Sequence, residues 1–207
     1  MRETKVFKTK EESRAANKAY IDEHISNVKK AFDLVGEDIC RYVYKAMNFS
    51  KEDPDKWDVE EYISLIRDYL IPKHDESKYE PIEFDAYAAK FFPCEEDLQD
   101  PESVKKNFDL AWDHHKKVNR HHPDEWVLGH GFGNELDTIR IPMPFIYFIE
   151  MLMDWTAMSI KFNQSTHDWW FNNPNGRKEK AEMFSNNRLA LIDLVITEFK
   201  DRLDFSK

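Results

Sequence analysis

The chain is short of glycine, with 5 residues among 207, where soluble proteins average about 7%. So few glycines argue against nucleotide-binding folds built on glycine-rich loops and favour helices, which glycine destabilises. Cysteine is also scarce, because Cys40 and Cys94 are the only two and they form no CxxC pair. A disulfide framework is therefore not indicated, and a reducing cytoplasm fits the cysteine content best.

The chain also has fewer basic than acidic residues. It contains 30 Lys and Arg and 40 Asp and Glu, which gives a formal net charge of −10. A protein that follows nucleic acid needs a basic face to neutralise phosphates, so we expect no extended nucleic-acid binding. The longest apolar run, Ile141–Met153, is broken by Pro142, Pro144 and Glu150, and it is too short to span a bilayer. The first 18 residues are polar and carry no apolar stretch, so we predict neither a signal peptide nor a membrane role.

What the sequence does have is enough apolar material for a core, at 41% hydrophobic residues. The length fits one domain, and we predict an all-α helical bundle that forms a single domain over residues 1–207. Three of the five glycines fall within residues 129–133, which predicts a glycine-containing loop or small hairpin inserted into the bundle. Residues 1–18 are a candidate flexible tail, and residues 177–207 are predicted to form a closing C-terminal helix.

Apolar residues recur every three or four positions along most of the chain, which is the spacing of an amphipathic helix. Asp53-Pro54 predicts a helix start, because Asp is a good N-cap and proline fits the first helical position. The acidic and polar stretch Pro93–Asn107 predicts a loop or a solvent-facing segment. The remaining predicted helices cover Asn17–Ala46 with a break near Gly36, Ile82–Phe92, Phe108–His122 and Pro144–Phe162.

Eight histidines are present, and they are unevenly spread. His114 and His121 are seven residues apart, as are His115 and His122, and seven residues make close to two helical turns. On one continuous helix each pair would face one way, and two stacked imidazoles form one side of a divalent-metal site. Adjacent histidines point about 100° apart, so one pair would bind metal and the other would support it or contact substrate. We favour His115 and His122 as the ligands.

Further candidate ligands lie on both sides of this histidine group. His74 and Asp75 are adjacent, three residues before Lys78, and His24 lies on the first predicted helix. Asp154 lies on an otherwise apolar stretch of a predicted helix, where a carboxylate must be paired or bound to a metal. The remaining histidines, His130 and His167, are expected to be ordinary loop and surface residues.

A histidine, a His-Asp pair, further histidines and an aspartate on successive helices resemble the HD-domain superfamily. Its members are all-helical and bind one or two metals between their helices. The segment His74–Lys78 is similar to the HDxGK element of the two-metal members, with Ser77 where glycine is usual. HD-GYP cyclic-dinucleotide phosphodiesterases and HD-type di-iron oxygenases carry that element. The GYP part is missing after His121-His122, which argues against a cyclic-dinucleotide substrate.

Longer motifs are similar to an uncharacterised family of bacterial and phage proteins. The resemblance covers Tyr20–Asn173 and brings no established activity with it. The motifs are HDxSKY…E over His74–Glu83, AWxHHxxxNxHHxxxW over Ala111–Trp126 and MPxxYxxEMxxDWxAMS over Met143–Ser159.

The superfamily resemblance implies one or two divalent ions, of manganese, iron, nickel, cobalt or zinc, with Asp75 as a bridging ligand. It implies Asp75 and Lys78 as catalytic residues, Lys78 facing the substrate. The implied ligands of one metal are His24, His74, Asp75 and Asp154. The implied ligands that complete the second metal site are His115 and His122. Candidates for substrate binding or for support of the ligands are Lys78, His114, Lys117, Arg120 and His121.

Two metals bridged by a carboxylate suit hydrolysis of phosphate esters, because they activate a bound water and clamp the attacking and leaving oxygens. We therefore predict a metal-dependent phosphohydrolase that acts on a small phosphorylated substrate, with nucleotides suggested by analogy to phage and bacterial HD proteins. The same ligands around iron would suit an HD-type di-iron oxygenase.

A non-enzymatic alternative is a metal-stabilised helical module that binds a protein partner, with Trp169-Trp170-Phe171 as an exposed contact patch. Under each of these hypotheses we expect a cytoplasmic protein, bacterial or phage-encoded. We expect a homodimer only because dimers are the commonest soluble oligomers.

Overall fold

The computed structural model describes residues 5–47, 58–128 and 139–207. Within these ranges the fold is all-α, as predicted. Strand is limited there to a two-stranded antiparallel ladder of β1, Val127–Leu128, and β2, Ile139–Arg140. The glycine-containing loop predicted between these strands lies outside the described residues. The helices are α1 Lys10–Ala31, α2 Glu37–Ala46, α3 Val59–Leu65, α4 Pro81–Phe91, α5 Pro101–Val118, α6 Phe145–Phe162, α7 Thr166–Asn172 and α8 Asn186–Glu198.

The chain divides into two compact units. The first comprises Met1–Ile25 and Asp75–Arg120, and the second comprises Ser26–His74 and His121–Lys207. Each unit has a buried apolar cluster of its own. The prediction of a single domain over residues 1–207 stays a prediction.

In the first unit α4 packs along α5. Ala86 and Tyr87 of α4 meet Ala111 of α5 in a small buried cluster. The small alanine side chains let the two helices approach closely, and the Tyr87 ring fills the remaining space. The packing fixes the rotation of both helices and therefore which of their polar residues point inward.

Helix α5 begins earlier and ends earlier than predicted. It starts at Pro101, where the Asp100 side chain accepts a hydrogen bond from the Ser103 amide, so the second half of the predicted loop Pro93–Asn107 is helical. It ends at Val118, and the Asn119 amide N–H closes the last turn on the His115 carbonyl. His121 and His122 therefore lie beyond the helix, and the prediction of stacked pairs on one helix through His122 is wrong.

The second unit is built around α6, whose buried residues lie on all sides of the helix. A helix that is apolar all round belongs at the centre of a core. Phe148, Ile149 and Met153 are fully buried there, in a cluster that also takes side chains from α2, α3 and α8. Among this apolar surface α6 carries two acidic residues, Glu150 and Asp154.

The predicted break near Gly36 is absent. Residues Phe32–Gly36 form a π-helical turn that joins α1 to α2, and a second π-helical turn, Ile66–Leu70, follows α3. Gly36 keeps helical dihedral angles, and a Cβ at this position would lie 2.3 Å from the Phe32 ring. Glycine is therefore required here by close side-chain packing and not by a turn.

Both predictions for the chain ends need correction. The predicted flexible tail is helical from Lys10 onward. The predicted closing helix over residues 177–207 is interrupted, because Ser185 starts a new helix by accepting a hydrogen bond from the Arg188 amide. The predicted N-cap Asp53 lies outside the described residues, and α3 begins instead at Asp58, which forms a capping box with Glu61. No helix in the described part of the chain is long and apolar enough to cross a membrane.

Candidate metal centre

The His74-Asp75 pair lies between two short 3₁₀ helices, Ile71–Lys73 and Glu76–Tyr79. Asp75 adopts left-handed dihedral angles, φ 56° and ψ 22°, a conformation that costs about 1–2 kcal/mol for most L-residues and less for Asp. Such local strain persists where surrounding contacts hold the residue in place, often at functional sites. His74 closes a segment of the second unit, and Asp75 opens a segment of the first.

In the first unit the Asp75 carboxylate faces two histidines, one with each oxygen. Its Oδ2 lies 3.3 Å from Nε2 of His24, and its Oδ1 lies 3.4 Å from Nε2 of His115. All three side chains are buried. His24 comes from α1 and His115 from α5, so the strained turn brings Asp75 toward residues from two helices. A bridging carboxylate would present its two oxygens in this way.

These distances fit a metal better than direct hydrogen bonds. The preferred N–H···O distance is about 2.7–3.2 Å, which is shorter than both. Two ligand atoms held about 2.0–2.1 Å from one zinc ion at a tetrahedral angle lie about 3.3 Å apart. Imidazole nitrogen and carboxylate oxygen are also the donors that zinc, manganese, iron and nickel accept. The buried His and Asp side chains of the first unit could therefore hold a divalent metal ion.

Lys78 is close to the same carboxylate. Its Nζ lies 2.6 Å from Asp75 Oδ2 and 5.7 Å from the centre of the Tyr87 ring. Because Lys78 follows Asp75 by three residues through one 3₁₀ turn, the two side chains lie on the same side of that turn. The ammonium group partly offsets the charge of a carboxylate that burial alone would disfavour.

Glu83 is a buried residue of this site that the sequence reasoning did not assign. From α4 it contacts Nδ1 of His114 at 2.7 Å and Nδ1 of His115 at 2.8 Å. Burial raises the pKa of the Glu83 carboxyl, but hydrogen bonds from His115, His114 and Ser77 outweigh it and hold the pKa below its usual range. The glutamate that closes the HDxSKY…E motif was the available signal.

In the second unit His74 contacts two carboxylates of α6. Its Nδ1 lies 2.9 Å from Glu150 Oε1, and its Nε2 lies 3.7 Å from Asp154 Oδ1. Glu150 and Asp154 are four residues apart, so they share one face of the helix. His74 is fully buried, whereas the Asp154 side chain is 18% exposed. The imidazole therefore has one nitrogen toward the buried carboxylate and the other toward the more accessible one.

His121 adds a second histidine to Glu150. Its Nδ1 lies 3.4 Å from Glu150 Oε1, and its ring centre lies 4.4 Å from that of His74. Burial raises the pKa of Glu150, but the neighbouring imidazoles of His121 and His74 hold it below its usual range. Ligand atoms of His74, His121 and Glu150 lie within 4.8 Å of one another, close enough to hold a metal ion.

The predicted site residues divide between the two units, and the predicted ligand sets stay predictions. His122 packs its ring 4.3 Å from that of His121. Lys117 and Arg120 are exposed, and His167 is half-exposed beside Asp168, while His130 lies outside the described residues. The predicted residues that fall in the first unit are His24, Asp75, Lys78, His114, His115, Lys117 and Arg120. Those in the second are His74, His121, His122 and Asp154.

Comparison with known proteins gives one match. The sequence profile of a family of unknown function, DUF5662, matches residues 13–198. No curated protein and no solved structure matches the chain. The resemblance to the HD-domain superfamily therefore stays a prediction.

Proposed function

The chain belongs to this family of unknown function, and we propose that it is a metal-dependent phosphohydrolase acting on a nucleotide or another small phosphate ester. One observation carries the proposal. Asp75 is held in a strained turn with one oxygen toward His24, the other toward His115, and Lys78 beside it. A buried carboxylate between two imidazoles could hold a divalent metal, and the adjacent cation suits an anionic substrate.

In the first unit His24 and His115 provide Nε2 ligands, and Asp75 provides an oxygen toward each. In the second unit Nε2 of His74 and Oδ1 of Asp154 form a smaller set of the same donor type. The donor atoms of both sets are nitrogen and oxygen only. Such donors favour manganese, iron, cobalt, nickel or zinc over ions that prefer thiolate.

A divalent metal held at this position would lower the pKa of a bound water, so that hydroxide forms near neutral pH. The protein contributes the rest through fixed charges. The Lys78 ammonium lies where it can contact a phosphoryl oxygen as negative charge develops there, and preorganised charges of this kind provide large rate effects. Burial of His24, Asp75 and His115 keeps bulk water from weakening these interactions.

A di-iron oxygenase remains the second candidate, because a donor set of imidazole and carboxylate without thiolate also suits iron. The non-enzymatic module has less support from the structure. Trp170 is fully buried, stacks on Trp155 and donates a hydrogen bond to Asp193. The aromatic patch predicted for a protein partner therefore belongs largely to the core of the second unit.

Metal content and product analysis test the proposal. We expect the purified protein to bind divalent metal and to release phosphate from members of a nucleotide panel when manganese, nickel or cobalt is supplied. Asp75→Asn should lose both metal and activity, whereas Asp85→Asn, an exposed change on α4, should keep both. Unchanged metal content in Asp75→Asn would show that the site assignment is wrong. Bound iron with oxygen consumption and no phosphate release would favour the oxygenase.

A further inference from the structure

We infer that Glu83 and Glu150 are positioning residues that keep the Nδ1 atoms of the metal-binding histidines protonated, so that their Nε2 atoms face the metals. The inference deepens the proposed function and rests on it, because an oriented Nε2 lone pair matters here as a metal ligand. It assigns roles to two buried glutamates that the ligand prediction left out.

The geometry at Glu83 requires the proton to lie on the histidines. An ionised carboxylate only accepts hydrogen bonds, and its two oxygens lie 2.7 Å and 2.8 Å from Nδ1 of His114 and His115. Each of these nitrogens must therefore donate. A neutral imidazole with a protonated Nδ1 has its lone pair on Nε2, and for His115 that atom faces Asp75.

The Asn119 amide does not change this assignment, although its nitrogen lies 3.0 Å from Nδ1 of His115. Its two protons have shorter partners, at 2.7 Å to Ser77 Oγ and 2.9 Å to the His115 carbonyl oxygen. The proton between His115 and Glu83 therefore belongs to the imidazole. Asn119 acts on the site by fixing the end of α5 just after His115.

A related arrangement occurs in the second unit on a different helix, where both histidines approach one carboxylate oxygen. Glu150 Oε1 lies 2.9 Å from Nδ1 of His74, a hydrogen-bond distance, and 3.4 Å from Nδ1 of His121. Nε2 of His74 then faces Asp154. Glu83 and Glu150 are both almost completely buried, and a buried carboxylate is costly unless each oxygen is hydrogen-bonded.

Charge explains why residue 83 is a glutamate and not a glutamine, because His114 and His115 contact different oxygens of its carboxylate. A glutamine side chain has one acceptor oxygen and one donor NH₂ group, so it would replace one of these two acceptors with a donor, and only one histidine could still donate to an oxygen. The other histidine would have to accept at Nδ1 and carry its own proton on Nε2, where metal binding needs a lone pair. A carboxylate orients both rings together and also increases the basicity of Nε2.

Two measurements test the inference. Long-range ¹H–¹⁵N correlation spectra of the ¹⁵N-labelled, zinc-loaded full chain report the state of each imidazole nitrogen. We expect protonated Nδ1 and metal-bound Nε2 for His74 and His115. Cobalt titrations of Glu83→Gln and Glu150→Gln should show metal affinities about 10- to 100-fold weaker than wild type. Asp85→Asn and Asp168→Asn, at exposed positions, serve as matched loss-of-charge controls and should bind cobalt as wild type does.

The outcomes separate this inference from the proposed function. If the wild-type chain binds metal but its histidines bind through Nδ1, or if both glutamine variants keep wild-type affinity, the inference is overturned and the metal site stands. If the wild-type chain binds no divalent metal, the proposed function fails and the inference falls with it. Should the glutamine variants not fold by circular dichroism, the wild-type spectrum decides alone.

Discussion

At the residue scale, Asp75 is the residue on which the site depends. The sequence predicted it as a ligand, together with His24, His74, His115 and Asp154, because these residue types in this order resemble the HD-domain superfamily. Glu83 and Glu150 occur in the longer motifs, but no role was predicted for either. A glutamate in a helix is usually a solvated residue, and only the rotation of α4 and α6 shows that these two point inward. That rotation depends on core packing. The apolar periodicity of a sequence predicts it to no better than about one residue.

Lys78 supplies a first prediction at this scale. Lys78→Gln should keep its metal and lose activity by about 10²- to 10³-fold, because it removes a fixed positive charge from the transition state and removes no ligand. Steady-state phosphate release and metal content measured on the same preparation check this. Lys106→Gln, an exposed change in the same unit, should leave the rate unaltered. Wild-type turnover by Lys78→Gln would remove the lysine from the mechanism.

The two cysteines give a second prediction. Cys40 is completely buried, and burial raises the pKa of its thiol to about 12. Cys94 is buried as well, and neither forms a disulfide. Because the thiolate is the reactive form, we expect Cys40 to resist a thiol-reactive dye at pH 8 in the folded protein. Two thiols per chain should react at once in concentrated urea. Fast labelling of Cys40 without denaturant would contradict its burial.

At the element scale, α5 shows where sequence reasoning succeeded and where it failed. The adjacent Asp100 and Pro101 are a good helix start signal, yet the acidic composition of the surrounding stretch favoured a loop. At the other end the helix was predicted to run to His122, whereas it ends at Val118 and Asn119 caps it. That error mattered, because the seven-residue spacing of the histidine pairs has no meaning once His121 lies outside the helix. His115, which was predicted as the ligand of its doublet, is buried with Nε2 3.4 Å from Asp75 Oδ1, and its role as a ligand stays a prediction.

A third prediction concerns the start of α5. Asp100→Ala removes the side chain that accepts a hydrogen bond from the Ser103 amide, and loss of an N-cap costs about 1 kcal/mol of unfolding free energy. Urea denaturation followed by circular dichroism should show this decrease. Lys106→Ala, an exposed change within the same helix, should leave the midpoint nearly unchanged. An equal effect of the two substitutions would show that the cap contributes nothing specific.

At the scale of the whole molecule, composition predicted the fold class and little beyond it. Scarce glycine and a helical spacing of apolar residues were sufficient to predict an all-α fold, because both are seen along most of the chain. The interruption of the predicted closing helix before Ser185 depended on one cap, and the π-helical turn Phe32–Gly36 brings the Phe32 ring against Gly36. Such features are decided by contacts of individual side chains, which composition and apolar periodicity do not reveal.

The whole molecule should also be more stable with metal than without it. A chain with a net charge of −10 buries Asp75, Glu83 and Glu150, and a bound cation would compensate that charge in the folded state only. A ligand at 100 times its Kd stabilises a protein by about 2.7 kcal/mol. For a chain of this length that corresponds to a rise in Tm of about 5–10 °C.

Thermal unfolding before and after treatment with a chelator measures this difference, and adding manganese or zinc back should restore the higher Tm. Asp75→Asn should lose most of the response, because it removes the oxygens that face both histidines of the first unit. Asp85→Asn should retain it, which would show that the effect depends on the position of the charge and not on the net charge. A wild-type Tm that no divalent ion raises would contradict both the metal site and the function proposed from it.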